Sequence, residues 1–226
     1  ELTNYANQKC NGQDAVTLQT AFALSCNTAF VEMSEQLGAD ELRKYAKAFG
    51  VGENYDLGVS TSAGTLGDLP DGAATAQSAI GQRDVTMTAL QAAVMAGTVA
   101  NKGTRMQPYL VNRITDAQMK DVRTTKPKKA DQAVNEETAA TLTDLMYASE
   151  RSSWGYDGNG FASKTGTAEH GEGLAPHVWY VAFDPERDIA VGVVVKNGGN
   201  LGESATGGKV SGPIGRAILR AYQGEQ

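Results

Sequence analysis

The stretch that decides the fold is Gly160-Phe161-Ala162-Ser163-Lys164-Thr165-Gly166-Thr167-Ala168-Glu169, in a chain of 226 residues. Its centre, K-T-G-T, places a lysine ammonium, two hydroxyls and a glycine in consecutive positions. Four specified residues arise by chance in roughly one chain of this length in a few hundred. These groups suit the binding of a small anionic substrate beside a nucleophile, so the tetrad predicts a functional segment.

Two β-rich runs follow the tetrad and indicate a hairpin. Residues 177–183 combine aromatic and β-branched side chains, and a turn containing Pro185 separates them from the apolar run 189–195. We expect these runs to pair in antiparallel fashion, with residues 162–168 as a third strand beside them. In that strand, Gly166 removes a side chain where a ligand or another backbone must come close.

Helices are predicted before these strands and after them. Periodicity and capping residues favour five earlier helical segments: 15–24, 28–37, one behind Asp40 that Gly50 closes, one opened by Thr88 with Gln91, and one opened by Asn135. Residues 51–77 have loop composition. Gly212-Pro213 should open a last helix that turns Ile214, Ala217, Ile218 and Tyr222 toward the sheet. Helices with an antiparallel sheet predict an α+β fold, and chain 1–226 is most simply one domain.

Several segments together resemble the transpeptidase domain of the penicillin-binding proteins. Besides the tetrad, these are residues 79–91, Asn197-Gly198-Gly199 and Ala205-Thr206-Gly207-Gly208. The family carries the motifs S-x-x-K, S-x-N and K-T-G, and the resemblance is to its monofunctional class B type. It implies a serine β-lactamase/transpeptidase-like fold, in which helices cover both faces of an antiparallel sheet.

The second family motif is present and the first is not. Ser25-Cys26-Asn27 matches S-x-N and lies 139 positions before Lys164, between two predicted helices. No lysine has a serine three positions before it, so S-x-x-K is absent from these 226 residues. Because the family places S-x-x-K ahead of S-x-N, we expect the chain to begin downstream of its nucleophile. The fold would then be incomplete on its N-terminal side, and the chain alone would be inactive.

The resemblance implies acyl transfer from a D-alanyl-D-alanine stem peptide of peptidoglycan. The matching site positions are Ser25, Asn27, Lys164, Thr165, Gly166 and Thr167. Ser25 would pass a proton to the leaving amine, Asn27 would bind the substrate's amide backbone, and charged Lys164 would position the Ser25 hydroxyl. Thr165 and Thr167 would hold the terminal carboxylate, and the Thr167 N–H would form half of an oxyanion hole. No cofactor is implied.

Other functions remain open at this point. A serine β-lactamase needs a deacylating carboxylate, usually in an E-x-x-L-N loop, and residues 50–163 contain no such pattern. A β-lactam-sensing receptor domain and a non-catalytic penicillin-binding module both remain possible. In the alternative, purely structural interpretation of the site residues, Ser25 and Asn27 cap helices and Lys164 lies on a solvated strand edge.

The net charge and the family resemblance together limit where the protein can be located and which partners it can bind. The net charge of −6 argues against nucleic acid and against electrostatic attachment to anionic lipid. The family implies an extracytoplasmic protein, anchored to the cell membrane by a segment outside this chain. The implied ligands are peptidoglycan stem peptides and β-lactam antibiotics.

The two cysteines have two possible states. Cys10 and Cys26 are 16 positions apart and could be a disulfide or two buried thiols. The extracytoplasmic family favours the disulfide. His170 and His177 are not at ligand spacing with each other or with the cysteines, so we expect no metal site.

Overall fold

The computed structural model describes residues 3–4 and 8–224 of the protein, and helices and strands are arranged along them as follows. The helices are α1 (Leu18–Ala23), α2 (Asn27–Ala48), α3 (Gly72–Ala79), α4 (Ala89–Ala100), α5 (Glu136–Ser152) and α6 (Ser211–Gly224). The strands are β1 (Thr104–Met106), β2 (Arg113–Thr115), β3 (Asp121–Thr124), β4 (Lys129–Gln132), β5 (Ala162–Ala168), β6 (His177–Asp184) and β7 (Ile189–Val195). No helix among these residues is both long enough and apolar enough to cross a membrane.

The K-T-G-T tetrad lies on a three-stranded antiparallel sheet, as predicted. The strand order is β5-β6-β7, and the register pairs Lys164 with Val181 and Gly166 with Trp179. Strands β6 and β7 form the predicted hairpin. Strands β1 with β4, and β2 with β3, form two separate antiparallel pairs. Strand β5 is therefore an outer strand of the main sheet.

Helices cover both faces of this sheet, which confirms the α+β, layered fold. Helices α4 and α5 pack on one face, around the buried side chains Ala96, Val99, Met146, Ala162 and Phe183. Helix α6 packs on the other, around Phe161, Tyr180, Ala182, Val191 and Leu219. The continuous apolar runs of β6 and β7 reflect this burial on two sides.

Capping residues predicted two helix starts correctly, and the predicted break between two earlier helices is present as a kink at a glycine. Thr88 and Gln91 form a complete capping box at α4, and the Asn135 side chain accepts a hydrogen bond from the backbone N–H of Thr138 at α5. The two helices predicted over 28–37 and 40–49 together make up α2, and a kink at Gly38 separates them. The φ of 80° and ψ of 164° of Gly38 are not helical, and glycine adopts them without a steric penalty.

The loop predicted over 51–77 is wrong at its C-terminal end. Helix α3 already begins at Gly72, and the Asp71 side chain caps it by accepting a hydrogen bond from Ala74 N at 2.8 Å. Asp-Gly is a common turn pair, so composition favoured a loop here. Packing against α2, which composition does not report, stabilises the helix instead.

The predicted inward face of α6 is also wrong. Three of the residues expected to contact the sheet are exposed, namely Ile214, Ala217 and Ile218, and Tyr222 is half-buried. Gly215, Arg216 and Leu219 face the sheet in their place. A Cβ on Gly215 would collide with the Tyr180 ring, so the glycine lets α6 approach β6 closely. Apolar periodicity could not reveal a face built from a glycine and a buried arginine.

Candidate active site

Residues from the two recognised motifs meet in space. The Lys164 Nζ donates a hydrogen bond to the Ser25 Oγ across a sequence separation of 139 residues, and a second one to the Thr165 carbonyl at 2.9 Å. The Phe22 ring lies 5.8 Å from the same Nζ, within the range of a cation–π contact. Lys164 is therefore partly buried and held against Ser25, and does not lie on a solvated strand edge.

The turn between α1 and α2 presents Ser25 to the lysine. Ser25 has a φ of 55°, in the left-handed region that residues other than glycine adopt at a cost of about 1–3 kcal/mol. The Cys26 N–H donates to the Ala21 carbonyl at 2.9 Å and closes this turn. Cys26 is the N-cap residue of α2 and makes no side-chain cap, and Asn27 follows as the first helical residue. The helix-capping interpretation of Ser25 and Asn27 is therefore wrong for α2.

An N-terminal segment contacts the start of α2. The Asn27 Nδ2 donates to the Thr3 carbonyl at 3.2 Å. The Thr28 N–H and hydroxyl both donate to the Asn4 Oδ1, at 3.0 and 3.2 Å. The S-x-N motif is thus bonded on one side to Lys164 and on the other to residues 3–4.

Cys10 lies next to the same motif. Its Sγ faces that of Cys26, with the two Cα atoms 5.6 Å apart, and Cys26 is buried. That Cα separation lies within the usual range for a disulfide. The 3₁₀ turn at Cys10–Gly12 is therefore adjacent to the Ser25 turn.

The backbone of a second loop passes close to Gly166. A Cβ on Gly207 would lie 2.7 Å from the Gly166 oxygen and would also collide with the Trp179 oxygen. The close approach expected at Gly166 is therefore at least partly that of Gly207, within the segment Ala205-Thr206-Gly207-Gly208. Thr165 and Thr167 lie on either side of Gly166 on β5 and are partly buried.

Burial sets the electrostatics of the lysine. Removal from water disfavours the ammonium form and lowers the pKa of Lys164 to about 8. At pH 7 the side chain is still about nine-tenths charged at that pKa, and at pH 9 about one-tenth. The charge of Lys164 therefore changes strongly between pH 7 and pH 9.

The two histidines contact each other near the end of β5. Their ring centroids are 4.0 Å apart, and the His177 Nδ1 accepts a hydrogen bond from the Asn197 N–H at 3.1 Å. His170 Nε2 contacts the Ala175 oxygen at 2.9 Å. Within residues 3–4 and 8–224, no three His, Cys, Asp or Glu side chains are grouped so that they could hold a metal ion.

The sequence analysis missed a buried carboxylate beside β5. Glu150, on α5, is fully buried and accepts four side-chain hydrogen bonds. The donors are Arg216 Nε at 2.6 Å, Asn159 Nδ2 at 2.9 Å, Tyr180 OH at 3.0 Å and the Ser163 hydroxyl. Ser163 directly precedes Lys164. No local signal could have found this cluster, because Arg216 lies 66 residues away in sequence.

Comparison with known proteins assigns the family. The model of the penicillin-binding protein transpeptidase domain matches residues 1–220. The chain belongs to this family. Within the family, the matched region includes both the S-x-N and the K-T-G-T motifs that meet in the structure.

Within this family, the chain is similar to peptidoglycan D,D-transpeptidases named PbpA. The chain is 44% identical to the peptidoglycan D,D-transpeptidase PbpA of Mycolicibacterium smegmatis, over 97% of this chain and 46% of that protein. It is 41% identical to PbpA of Mycobacterium tuberculosis, over 100% of this chain and 48% of that protein. The penicillin G acyl-enzyme complex of penicillin-binding protein A from M. tuberculosis superposes with a TM-score of 0.91 at 41% identity, covering 98% of this chain and 52% of that one. The chain thus spans about half the length of these PbpA relatives.

Proposed function

We propose that these 226 residues form one domain portion of a longer peptidoglycan D,D-transpeptidase, which cross-links stem peptides through a serine acyl-enzyme and is acylated by β-lactams. The hydrogen bond from Lys164 to Ser25 is the observation that carries the proposal. A lysine ammonium held against a serine hydroxyl has little structural use, and it is the arrangement that acyl transfer needs beside a nucleophile. The names of the PbpA relatives support the same reaction.

Ser25 and Lys164 assist the proton transfer that acylation requires. A serine in an S-x-x-K motif outside these residues gives its proton to the lysine of that motif and attacks the penultimate D-alanine carbonyl carbon, and the C–N bond to the terminal D-alanine breaks. Ser25 passes a proton from that lysine to the departing amine. Lys164 stays charged at neutral pH, directs the Ser25 Oγ and adds positive potential for the substrate's carboxylate. Asn27 hydrogen-bonds the amide backbone of the stem peptide.

Strand β5 holds the reacting end of the substrate. The Thr165 and Thr167 hydroxyls bind the terminal carboxylate, and Gly166 keeps the strand free of a side chain between them. The Thr167 N–H is one donor of the oxyanion hole, where charge develops on the carbonyl oxygen. An acceptor amine from a second stem peptide then attacks the acyl-enzyme carbonyl and releases the serine. Water replaces that amine only slowly, because no E-x-x-L-N carboxylate is present in residues 50–163.

The full-length protein works outside the cytoplasm and is anchored to the cell membrane by a segment other than these residues. Its Cys10–Cys26 disulfide forms in that oxidising compartment, and the Cα separation of 5.6 Å supports this bridge. By itself the chain 1–226 forms no penicilloyl adduct, because no serine in it is part of an S-x-x-K motif.

Fluorescent-penicillin labelling of the full-length protein and of its Lys164→Ala variant tests the function. We expect rapid labelling of the wild type and nearly none of the variant, with circular dichroism spectra that match. Lys126→Ala, on a surface loop, is the control and should label like the wild type. Labelling of Lys164→Ala at the wild-type rate would remove this lysine from the mechanism. Labelling of the wild type without cross-linking of stem peptides would instead favour a β-lactam-sensing receptor.

A further inference from the structure

The carboxylate of Glu150 joins five segments around the start of β5. It lies on α5 and accepts hydrogen bonds from α6, from the loop after α5, from β5 and from β6. The Asn159 side chain extends the cluster, because its Oδ1 accepts from the Phe161 N–H at 3.0 Å. The Arg216 Nη1 also donates to the Trp154 carbonyl at 3.0 Å. The network therefore fixes the residues immediately before the K-T-G-T tetrad.

Glu150 is ionised in this setting. Burial alone would raise its pKa, but hydrogen bonds from Arg216, Ser163 and Asn159 lower it below the usual value of a glutamate. A buried ion pair contributes little net stability compared with apolar residues of similar size. A gain in folding stability therefore explains this cluster poorly. Four hydrogen-bond donors on one carboxylate do, however, fix the relative positions of the segments that carry them.

The position of β5 needs such a constraint. As an outer strand, β5 has its ladder with β6 on one edge. Ser163 and Lys164 are consecutive, so their side chains point to opposite faces of the strand. Glu150 holds the Ser163 side chain, and Lys164 meets Ser25 on the other side. Tyr180, which also donates to Glu150, is the register partner of Thr165.

We propose that Glu150 is a positioning residue for the acylation reaction. It acts through Ser163 and Tyr180, and fixes β5 at the place where the Lys164 ammonium reaches the Ser25 hydroxyl. This inference rests on the proposed function. It assigns to Glu150 no contact with substrate.

The test uses conservative variants of the full-length protein. Glu150→Gln would leave Arg216 as a buried unpaired charge, so its lost activity could reflect misfolding. Ser163→Ala and Tyr180→Phe each remove one hydroxyl and keep the Glu150–Arg216 pair. Thr75→Val is the matched control, because it likewise removes one buried hydroxyl, whose bond of 2.9 Å to the Asp71 carbonyl lies at the start of α3, a helix that packs against α2.

Stopped-flow acylation by a fluorescent penicillin gives the rate, and thermal unfolding gives the stability. We expect Ser163→Ala and Tyr180→Phe to acylate between about tenfold and a hundredfold more slowly, as a small misplacement of a reacting group does. The alkaline limb of their pH–rate profiles should move to higher pH, because a displaced Lys164 is less buried and its pKa is therefore higher. Thr75→Val should keep the wild-type rate and the wild-type alkaline limb, even if its melting temperature falls by the same amount.

The possible outcomes distinguish a failure of the positioning role from a failure of the proposed transpeptidase function. If the wild type reacts while Ser163→Ala and Tyr180→Phe match Thr75→Val in rate and pH profile, the cluster is only structural and the positioning role is overturned. If the wild type does not react with penicillin at all, the proposed function fails, and the positioning role fails with it.

Discussion

The lowered pKa of Lys164 makes the reaction sensitive to alkaline pH. With a pKa of about 8, the charged fraction falls roughly tenfold between pH 7 and pH 9. If the ammonium form is required, the acylation rate of the full-length protein should fall by the same factor. Lys164→Arg keeps its charge throughout this pH range, because a guanidinium does not lose its proton in proteins, so its rate, relative to its own value at pH 7, should stay level to pH 9.

The assay is the second-order rate constant for acylation by a fluorescent penicillin, measured from pH 6 to pH 10. Absolute rates of Lys164→Arg will be lower, because a guanidinium cannot take the ammonium's place against Ser25; the shape of the profile carries the information. A wild-type rate that stays constant to pH 9 would contradict the requirement for a charged lysine. A Lys164→Arg profile that falls together with the wild type would assign the alkaline limb to another group.

Three further predictions concern stability and covalent structure. The pKa of Lys164 is lower in the folded than in the unfolded chain, so folding gains up to about 3 kcal/mol as pH rises from 8 to 10.5, and urea unfolding of Lys164→Met should lack that gain. Mass spectrometry without reduction should find Cys10 and Cys26 linked and two hydrogens missing; two alkylated thiols would exclude the bridge. Gly207→Ala should destabilise the protein by about 1–3 kcal/mol through collision with β5, whereas Gly72→Ala, which has open space around it, should be close to neutral in thermal unfolding.

Local chemistry predicted the part of the fold that carries the tetrad. Two runs rich in β-branched and aromatic residues, with a proline turn between them, identified β6 and β7, and the capping residues Thr88 and Asn135 identified the starts of α4 and α5. These signals work because they depend on neighbours within a few residues. The meeting of Ser25 with Lys164 has no such local signal, and only the resemblance to a family indicated it.

The features that sequence could not predict depend on contacts between distant segments. The inward face of α6 follows from the close approach of Gly215 to Tyr180, which apolar periodicity does not encode. Glu150 looks like a surface residue of an amphipathic helix, and its burial depends on Arg216 from α6. The left-handed conformation of Ser25 likewise depends on the turn between α1 and α2 and on its contact with Lys164.

Peptide mapping of the penicilloyl adduct tests the central claim most directly. The full-length protein is acylated with penicillin G, digested, and analysed by mass spectrometry, with the chain 1–226 treated in parallel. The account predicts one adduct, on a serine of an S-x-x-K motif outside these 226 residues, and none on the chain 1–226. An adduct on any serine within the 226 residues, or no adduct on the full-length protein, would contradict it.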